Sequence, residues 1–381
     1  MLTFIPLYDN VSSYAGYGGF TMNTSANPPR KHLGALDGIR SFACMEIFCC
    51  HCLWEGGALG VSLFLVLSGF LLTYRYLPQN TAVALPDATP FGLIRFAWKR
   101  LGKLYPLHII MMVIVIIVQL VQGHIQDNSE WTALFVRIVA HVFMIQTWIP
   151  VDSVYYSLNG LSWYLSTIQF CYLCFPLLLR LLRKLDTVKG TLFSLIDVFF
   201  IQISIARISL TVFGISDVDH YYMTYVCPLF RIFDFTCGCL LGVVFSKLPT
   251  AHKNMLRHTV WEVLAVFAVG ITQFLALNRR VFVWGRFSMM FLPACCFAIL
   301  VFAVGGGYIS RIFNAKVIKF FAGLTPFIFL IHNQIIAAAR SFLSRFGMAG
   351  QRYLVALVSF AVTVLLACLY DTLLKKKKSR K

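Results

Sequence analysis

Apolar segments of about 20 residues recur along almost the whole chain, and each is long enough to cross a lipid bilayer as one α-helix. Hydrophobic residues make up 59% of the 381 residues and charged residues 13%, which leaves more apolar surface than one soluble core can bury. The sequence therefore predicts an all-α membrane protein with about ten transmembrane helices. We place these helices at residues 36–54, 58–77, 103–121, 161–180, 191–213, 229–246, 259–277, 287–305, 320–339 and 353–374.

The distribution of basic residues predicts the orientation of these helices. Most of the 33 Lys and Arg residues fall on the side of the membrane that would hold both termini, and the chain ends in the basic run KKKKSRK. Because cytoplasmic loops are enriched in Lys and Arg, both termini are expected in the cytoplasm, as an even number of spans also requires. The same pattern accounts for the net charge of +18 without nucleic-acid binding, since the basic residues lie between apolar segments.

The chain is expected to form one membrane domain with polar ends. Residues 1–34 lack the charged start and continuous apolar core of a signal peptide, so we interpret them as a disordered cytoplasmic tail. Residues 35–374 form the transmembrane domain, and residues 375–381 form a basic cytoplasmic tail. The apolar stretch 131–147 is short and contains one Arg and one His, which favours an interfacial or re-entrant helix. Twelve cysteines are scattered through apolar segments, which is typical of buried small side chains.

The stretch from Leu36 to Tyr74 contains two apolar spans with polar residues that lipid should exclude. Arg40 and His51 are eleven residues apart in the first span, so at 100° per residue they project from one face of a helix. They would be separated by about 16 Å along its axis, with Arg40 in the cytoplasmic half and His51 in the outer half. An ionisable side chain inside a bilayer is costly unless it faces a partner or a wet cavity. This pair therefore marks a candidate functional site.

A second candidate region is the basic segment that leads into the third predicted span. Arg95, Lys99, Arg100 and Lys103 lie at i, i+4, i+5 and i+8, so much of one helical side would be cationic. Such a cluster can bind the phosphates of a cofactor through charge-assisted hydrogen bonds. It can equally anchor the chain to anionic lipid on the cytoplasmic side. The sequence leaves both interpretations open.

Several short segments carry a series of motifs in a fixed order. They read LDGIRSFACMEIFCCH, GVSLFLVLSGFLLTYRY, RFAWKRLGKLYPLH, NGLSWYLSTIQFCYLCFPLL, RIFDFTCGCLLG and, more weakly, FAGLTPFIFLIH. On these motifs the chain resembles the acyltransferase 3 family of integral membrane acyltransferases, and the first motif contains the family's R-x10-H spacing as Arg40 and His51. The chain departs from the family pattern at Lys103, where arginine is usual, and at Ile168, where many members have glutamate. Asp234 also stands in place of a glutamate.

This resemblance implies a membrane O-acyltransferase. It would transfer an acyl group, usually acetyl, from cytoplasmic acyl-CoA to a hydroxyl of a carbohydrate or another envelope or lumenal acceptor. By the family match His51 is the general base, a role that suits imidazole because its unperturbed pKa lies near working pH. Arg40 would hold the donor or the geometry of the site, while Arg95, Arg100 and Lys103 would bind the donor's phosphates. Acyl-CoA is thus expected as a co-substrate, with no permanently bound cofactor.

Further cavity candidates each have an architectural interpretation beside the functional one. They are Asp37, Ser68, Trp163, Arg231, Asp234 and His332. Arg231 and Asp234 are one helical turn apart and most simply form an ion pair within the sixth span. His332 ends the weakest motif, and it is expected either to face the cavity or to be packed.

The first two spans allow more specific expectations. Gly60 and Gly69 should permit close helix approach, and Ser62 and Ser68 could form hydrogen bonds across helices. Glu46 projects about 120° away from the Arg40 and His51 face, so its partner should lie on another helix. The cysteines that flank His51 diverge by 100° per residue and cannot converge on one ion, so no metal site is expected.

Two functions of other classes remain compatible with the sequence. A proton-coupled secondary transporter would also use intramembrane Arg, Asp, Glu and His, although such proteins often show two related halves and this chain shows none. A non-catalytic protein that kept the family fold is the other alternative, which the departures at Lys103 and Ile168 keep open. The expected partners of the enzyme are acyl-CoA, a glycan or other hydroxyl acceptor and the lipid bilayer.

Overall fold

The computed structural model describes residues 32–54, 58–77, 86–123, 125–211, 216–248, 254–278, 288–348 and 350–379, and these contain helices and no β-strand. The helices are α1 (Ala35–Cys52), α2 (Ala58–Tyr76), α3 (Pro90–Leu101), α4 (Tyr105–Val121), α5 (Asn128–Val142), α6 (Asp152–Tyr155), α7 (Trp163–Leu182), α8 (Val188–Thr211), α9 (Asp217–Tyr221), α10 (Pro228–Ser246), α11 (Met255–Leu277), α12 (Leu292–Val304), α13 (Tyr308–Phe313), α14 (Lys316–Ser344) and α15 (Arg352–Ser379). A π-helical turn, Tyr222–Val226, joins α9 to α10.

Each of the ten predicted spans coincides with a helix, and the all-α membrane class is confirmed. Seven helical segments of the described chain are long and apolar enough to cross a membrane, and the bent pair α3 and α4 would make an eighth. The first predicted span, α1, carries three charged residues, and α12 has 13 residues, so neither meets the same standard. The exact number of ten spans and the cytoplasmic orientation of both termini stay predictions.

Helix α5 occupies most of the stretch that we interpret as interfacial or re-entrant. Its start is fixed by Asp127, whose Oδ1 accepts a hydrogen bond from the backbone N–H of Glu130 at 2.8 Å. The Glu130 side chain in turn accepts from the backbone N–H of Asp127, which completes a capping box. A 3₁₀ turn, Gln146–Trp148, follows the helix. The helix is therefore observed, while its depth in the membrane stays a prediction.

The centre of the molecule is formed by α2, which is buried along almost its whole length between α1 and α10. A Cβ atom added to Gly69 would clash with the backbone carbonyl of Phe235, and one added to Gly238 would clash with that of Val66. A Cβ on Gly60 would likewise meet α1. The expectation that Gly60 and Gly69 permit close helix approach is confirmed, because each lies where no side chain would fit.

The predicted polar ends lie at the limits of the described chain. Residues 1–31 of the predicted N-terminal tail fall outside the described residues, and the remaining three lead directly into α1. At the other end α15 continues through Ser379, so residues 375–379 extend a helix. Lys375 there forms an ion pair with Asp371 at 2.6 Å.

Candidate active site

Two histidines from distant parts of the chain meet at one end of α1. The Nδ1 atom of His51, in the last turn of α1, lies 2.9 Å from Nε2 of His332 in α14. The Nδ1 atom of His332 lies 3.0 Å from the backbone carbonyl oxygen of Ile328, one turn earlier in α14. His332 is buried, whereas His51 is half-buried. His332 is thus packed and is not among the described lining residues of the cavity beside His51, but it contacts the predicted base directly.

This geometry determines which nitrogen of His51 is basic. A carbonyl oxygen only accepts hydrogen bonds, so His332 must donate to Ile328 through Nδ1–H, and the Nε2 atom of a neutral His332 becomes an acceptor. His51 then donates to it through Nδ1–H. The lone pair of His51 is consequently on Nε2, the nitrogen that a general base needs to present to substrate.

His51 lines a cavity of about 550 Å³. The cavity wall consists of Ile47, Cys50, His51, Ala58, Val61, Tyr156, Gly160, Leu161, Trp163, Tyr221, Tyr225, Phe329 and Asn333. Among the described residues no Asp, Glu, Lys or Arg lines it. Among the described lining residues, imidazole is therefore the strongest base at neutral pH, since the Cys and Tyr side chains are largely protonated there. Trp163, a cavity candidate from the sequence, is one of these lining residues.

Aromatic side chains supply half of the described lining residues that do not belong to α1. The hydroxyl groups of Tyr156 and Tyr221 are hydrogen-bonded to each other, and Trp163 packs on Tyr225 with ring centroids 4.9 Å apart. Tyr221 ends α9 and Tyr225 lies in the π-helical turn, so this turn carries part of the wall. Such turns are frequent at functional sites. The wall combines apolar ring faces with hydroxyl and amide groups.

A second polar cluster is sealed inside the helix bundle. Arg231 Nη1 lies 2.9 Å from Asp234 Oδ2, and both side chains are fully buried. Arg231 donates through Nη2 to Ser62 Oγ at 3.1 Å, and Gln202 Nε2 donates to Asp234 Oδ1 at 2.7 Å. The predicted ion pair within one helix is confirmed, and so is a hydrogen bond across helices at Ser62, which accepts it from Arg231. The cluster approaches the cavity through Tyr225, whose ring centroid is 5.7 Å from Arg231 Cζ.

Arg40 lies at the opposite end of α1 from the cavity. Its Nη1 atom is 3.1 Å from Asp37 Oδ1, and His32 Nε2 is 3.3 Å from Asp37 Oδ2. α1 is continuous between Arg40 and His51, so the two residues share a face but are about 16 Å apart along the axis. Arg40 and Asp37 are therefore not part of the cavity wall.

Glu46 lies on a different side of α1 from Arg40 and His51. Its carboxylate accepts hydrogen bonds from the backbone N–H of Gly60 at 3.0 Å and from Gln273 Nε2 at 3.3 Å. The prediction that its partner lies on another helix is confirmed. Ser68, another cavity candidate, is buried in α2 beside Tyr164, away from the cavity wall.

The structure divides the basic segment into two sides. Arg100 is buried, donates to the Phe96 carbonyl at 2.8 Å and to the Tyr76 hydroxyl at 2.9 Å, and lies with its Cζ 3.3 Å from the centre of the Phe96 ring. Tyr172 of α7 is close enough to both Arg40 and Arg100 to affect them electrostatically. Arg95 is exposed on the other side of α3, and Lys103 is half-buried in the bend after it.

The sequence patterns did not single out the tyrosines of the cavity wall or Asn333. Tyr156 and Tyr221 belong to no motif, and tyrosine-rich stretches in a membrane protein usually indicate packing or an interfacial belt. Asn333 directly follows His332, and this polar dipeptide within an apolar helix was an available signal. The same segment is joined to the cavity wall by Asn159, whose Nδ2 donates to the Leu330 carbonyl at 3.2 Å.

A known protein family matches almost the whole chain. The family model of acyltransferase 3, described as an acyltransferase domain, matches residues 33–371. The chain belongs to this family. As an acyltransferase 3 protein it carries the family's first motif, with Arg40 and His51, on α1, and its weakest one, ending on His332, on α14. No solved structure shows a significant match to the chain.

Individual acyltransferases are similar to this chain at 25–27% sequence identity. Acyltransferase MdmB from Streptomyces mycarofaciens is 27% identical over 65% of this chain and 65% of its own length. Peptidoglycan O-acetyltransferase OatA from Listeria monocytogenes is 25% identical over 83% of the chain and 51% of its own length. O-acetyltransferase OatA from Staphylococcus aureus is 25% identical over 67% of the chain and 41% of its own length. The chain thus spans less than two thirds of the length of each of these relatives.

Proposed function

We propose that this protein is a membrane O-acyltransferase that moves an acyl group, most simply acetyl, from acyl-CoA to a hydroxyl of a carbohydrate or other extracytoplasmic acceptor. The observation that carries the proposal is the hydrogen-bonded pair of His51 and His332 beside a cavity whose described wall contains no other base of comparable strength. Family membership supplies the reaction type.

His51 takes the role of proton carrier in this reaction. Its Nε2 atom removes the proton of the acceptor hydroxyl while that oxygen attacks the thioester carbonyl, which forms the new C–O bond and a tetrahedral oxyanion. Collapse of this intermediate breaks the C–S bond, and the leaving thiolate receives the proton from the imidazolium. His332 accepts from Nδ1–H of His51 throughout and holds the ring in position, so it is a positioning residue.

The donor's phosphates are assigned to the other end of α1. Arg40 and Arg100 lie near Tyr172 there, with Lys103 in the adjoining bend. Guanidinium groups suit phosphate because they donate in a planar fork. On the predicted topology this end faces the cytoplasm, where acyl-CoA is available. The thiol arm of the donor would extend along α1 toward His51, over about 16 Å.

The aromatic wall supports a hydroxyl-rich acceptor. Ring faces such as those of Trp163 and Tyr225 can pack on the apolar faces of a sugar ring, while the Asn333 amide can form hydrogen bonds with its hydroxyls. The names of the OatA relatives describe O-acetylation, which is consistent with such an acceptor.

Release of free CoA by purified protein is the direct test. Protein in detergent is incubated with acetyl-CoA alone and with hydroxyl-rich acceptors, and thiol release is measured beside mass spectrometry of the acceptor. We expect slow release alone and faster release with a matching acceptor that gains one acetyl mass. Absence of both release and acetylation across acyl-CoA chain lengths would contradict the proposal, and solute uptake into vesicles without CoA release would favour a transporter.

A further inference from the structure

Helix α3 exposes an apolar strip and a basic strip side by side. At 100° per residue Phe91, Ile94 and Trp98 fall within about 60° of one another. Their exposed fractions are 74%, 60% and 51%, which is high for side chains of this size. Arg95 and Lys99, also exposed, continue the surface around the helix. The helix thus shows the pattern of a segment that lies at a membrane surface.

The opposite side of α3 is firmly packed. Gly92, Phe96 and Arg100 are buried, and the Phe96 ring stacks on Phe175 of α7 with centroids 5.5 Å apart. The strip of Phe91, Ile94 and Trp98 is therefore not a face left over from an incomplete core. It is directed away from the protein by the packing of the other side.

The angle between α3 and α4 gives the orientation of this surface. The two helices are bent by 70° at the short break between Leu101 and Tyr105. If α4 crosses the bilayer, α3 runs much closer to the membrane plane than to its normal. In that position the apolar strip meets acyl chains, and the basic strip meets the phosphates of the headgroups.

A residue from α7 extends the basic strip. Asp87, just before α3, has a lowered pKa, mainly because Thr89 donates hydrogen bonds to its carboxylate, with smaller contributions from Arg180 and Arg95. α3 packs on α7 through Phe96 and Phe175, and Arg180 in the last turn of α7 and Arg95 in α3 both act electrostatically on the Asp87 carboxylate. Both arginines are exposed, so Asp87 offsets part of their charge while a cationic surface remains.

We propose that α3 and the end of α7 form a binding site for the headgroup of an anionic phospholipid. Arg95, Lys99 and Arg180 contact the phosphate and the anionic headgroup, and Phe91, Ile94 and Trp98 pack against the acyl chains. The basic segment would then have both functions, on different sides of one helix. Arg100 lies on the side that would bind the donor's phosphates, and Arg95 lies on the side that would bind anionic lipid. Lipid binding at this site does not require catalytic turnover.

Lipid titration of the full chain tests the proposal without any assay of activity. Protein in a mild detergent is titrated with phosphatidylglycerol or phosphatidylcholine, and bound lipid is counted by native mass spectrometry beside the melting temperature. Wild-type protein is expected to retain phosphatidylglycerol preferentially and to melt higher with it. Arg95→Gln combined with Lys99→Gln should weaken this binding roughly 10- to 30-fold, since each basic residue adds to attraction toward an anionic surface.

The matched control also removes two positive charges, but near the N-terminal ends of two other helices. Arg257→Gln combined with Lys316→Gln, both at exposed positions in α11 and α14, should leave lipid preference unchanged. Without added lipid, all variants should melt like the wild type, because the substituted side chains are exposed.

Three outcomes would overturn the proposal. Unchanged preference for phosphatidylglycerol in the Arg95 and Lys99 variant would show that these residues do not bind it. Equal protection by inorganic phosphate alone would identify a site for free anions. Protection by CoA that this variant loses would place the donor, and not lipid, on the outer side of α3.

Discussion

Two of the polar clusters in the described part of the chain differ in access more than in chemistry. The pair of His51 and His332 is held by one hydrogen bond and reaches a cavity of about 550 Å³. The cluster of Arg231 and Asp234 is fully buried, and Ser62 and Gln202 bind its outer atoms. A polar group that is both partnered and accessible can take part in chemistry, whereas a sealed one mainly constrains the fold. Substitutions in the first cluster should therefore change rate, and those in the second should change stability.

The largest effect is expected for His51→Ala. A general base typically contributes about 10² to 10⁴ in rate, so transfer per folded molecule should fall by that factor. Melting temperature should change little because His51 is half-buried and borders a cavity. The measurement is the transfer rate normalised to folded protein, with His258→Ala in α11 as a control that keeps its activity. Near wild-type turnover of His51→Ala would refute the mechanism.

Removal of the carboxylate charge in the sealed cluster should have the opposite signature. Asp234→Asn leaves Arg231 buried without its counter-charge, which typically costs about 3–5 kcal/mol in stability. We expect a lower melting temperature and yield, with nearly normal turnover in the fraction that folds. Arg231→Met combined with Asp234→Leu removes both charges and should recover much of the stability. Loss of turnover in well-folded Asp234→Asn protein would move this cluster into the active site.

His332→Ala should fall between these two cases. Without its Nε2 acceptor the tautomer and orientation of His51 are no longer fixed, so we expect a rate loss smaller than that of His51→Ala, roughly 10- to 100-fold. The pH dependence of the rate should shift as well, because the environment of His51 changes. His332→Gln supplies a carbonyl oxygen that can accept from Nδ1–H, and it should restore part of the rate. A simple packing role would instead lower stability equally in both variants, with an unaltered pH profile.

The smallest effect concerns the donor end of α1. Arg100→Gln should raise the KM for acyl-CoA by a factor that corresponds to about 1–3 kcal/mol, while kcat changes less. The buried hydrogen bond to Tyr76 is also lost, so the melting temperature serves as a companion measurement, and Tyr76→Phe is the matched control for that loss. If both variants lose stability alike and KM stays constant, Arg100 is structural and the donor binds elsewhere.

Local sequence patterns predicted most of the helices and the contacts within them. Apolar runs located each predicted span, and spacing placed Arg40 and His51 on one helix and paired Arg231 with Asp234. The pairing of His51 with His332 could not be derived in this way, because 281 residues separate them and helical periodicity carries no information on which helices are neighbours. The two sides of α3 show a related limit. The sequence predicted a helix with a cationic side, but it could not predict that Arg100 is buried. That burial depends on Tyr76 of α2 and on the packing of α7.

The glycine contacts between α2 and α10 restrict how the protein can move. Side chains between helices usually act as spacers that permit small sliding motions, but Gly69 and Gly238 bring each helix against the backbone of the other. A shift of one residue along this contact would place a Cβ atom where only a hydrogen fits, so α2 and α10 should behave as a rigid body. Opening of a route for substrate therefore has to occur outside this pair. The π-helical turn Tyr222–Val226, which holds the cavity residue Tyr225, lies directly before this rigid pair.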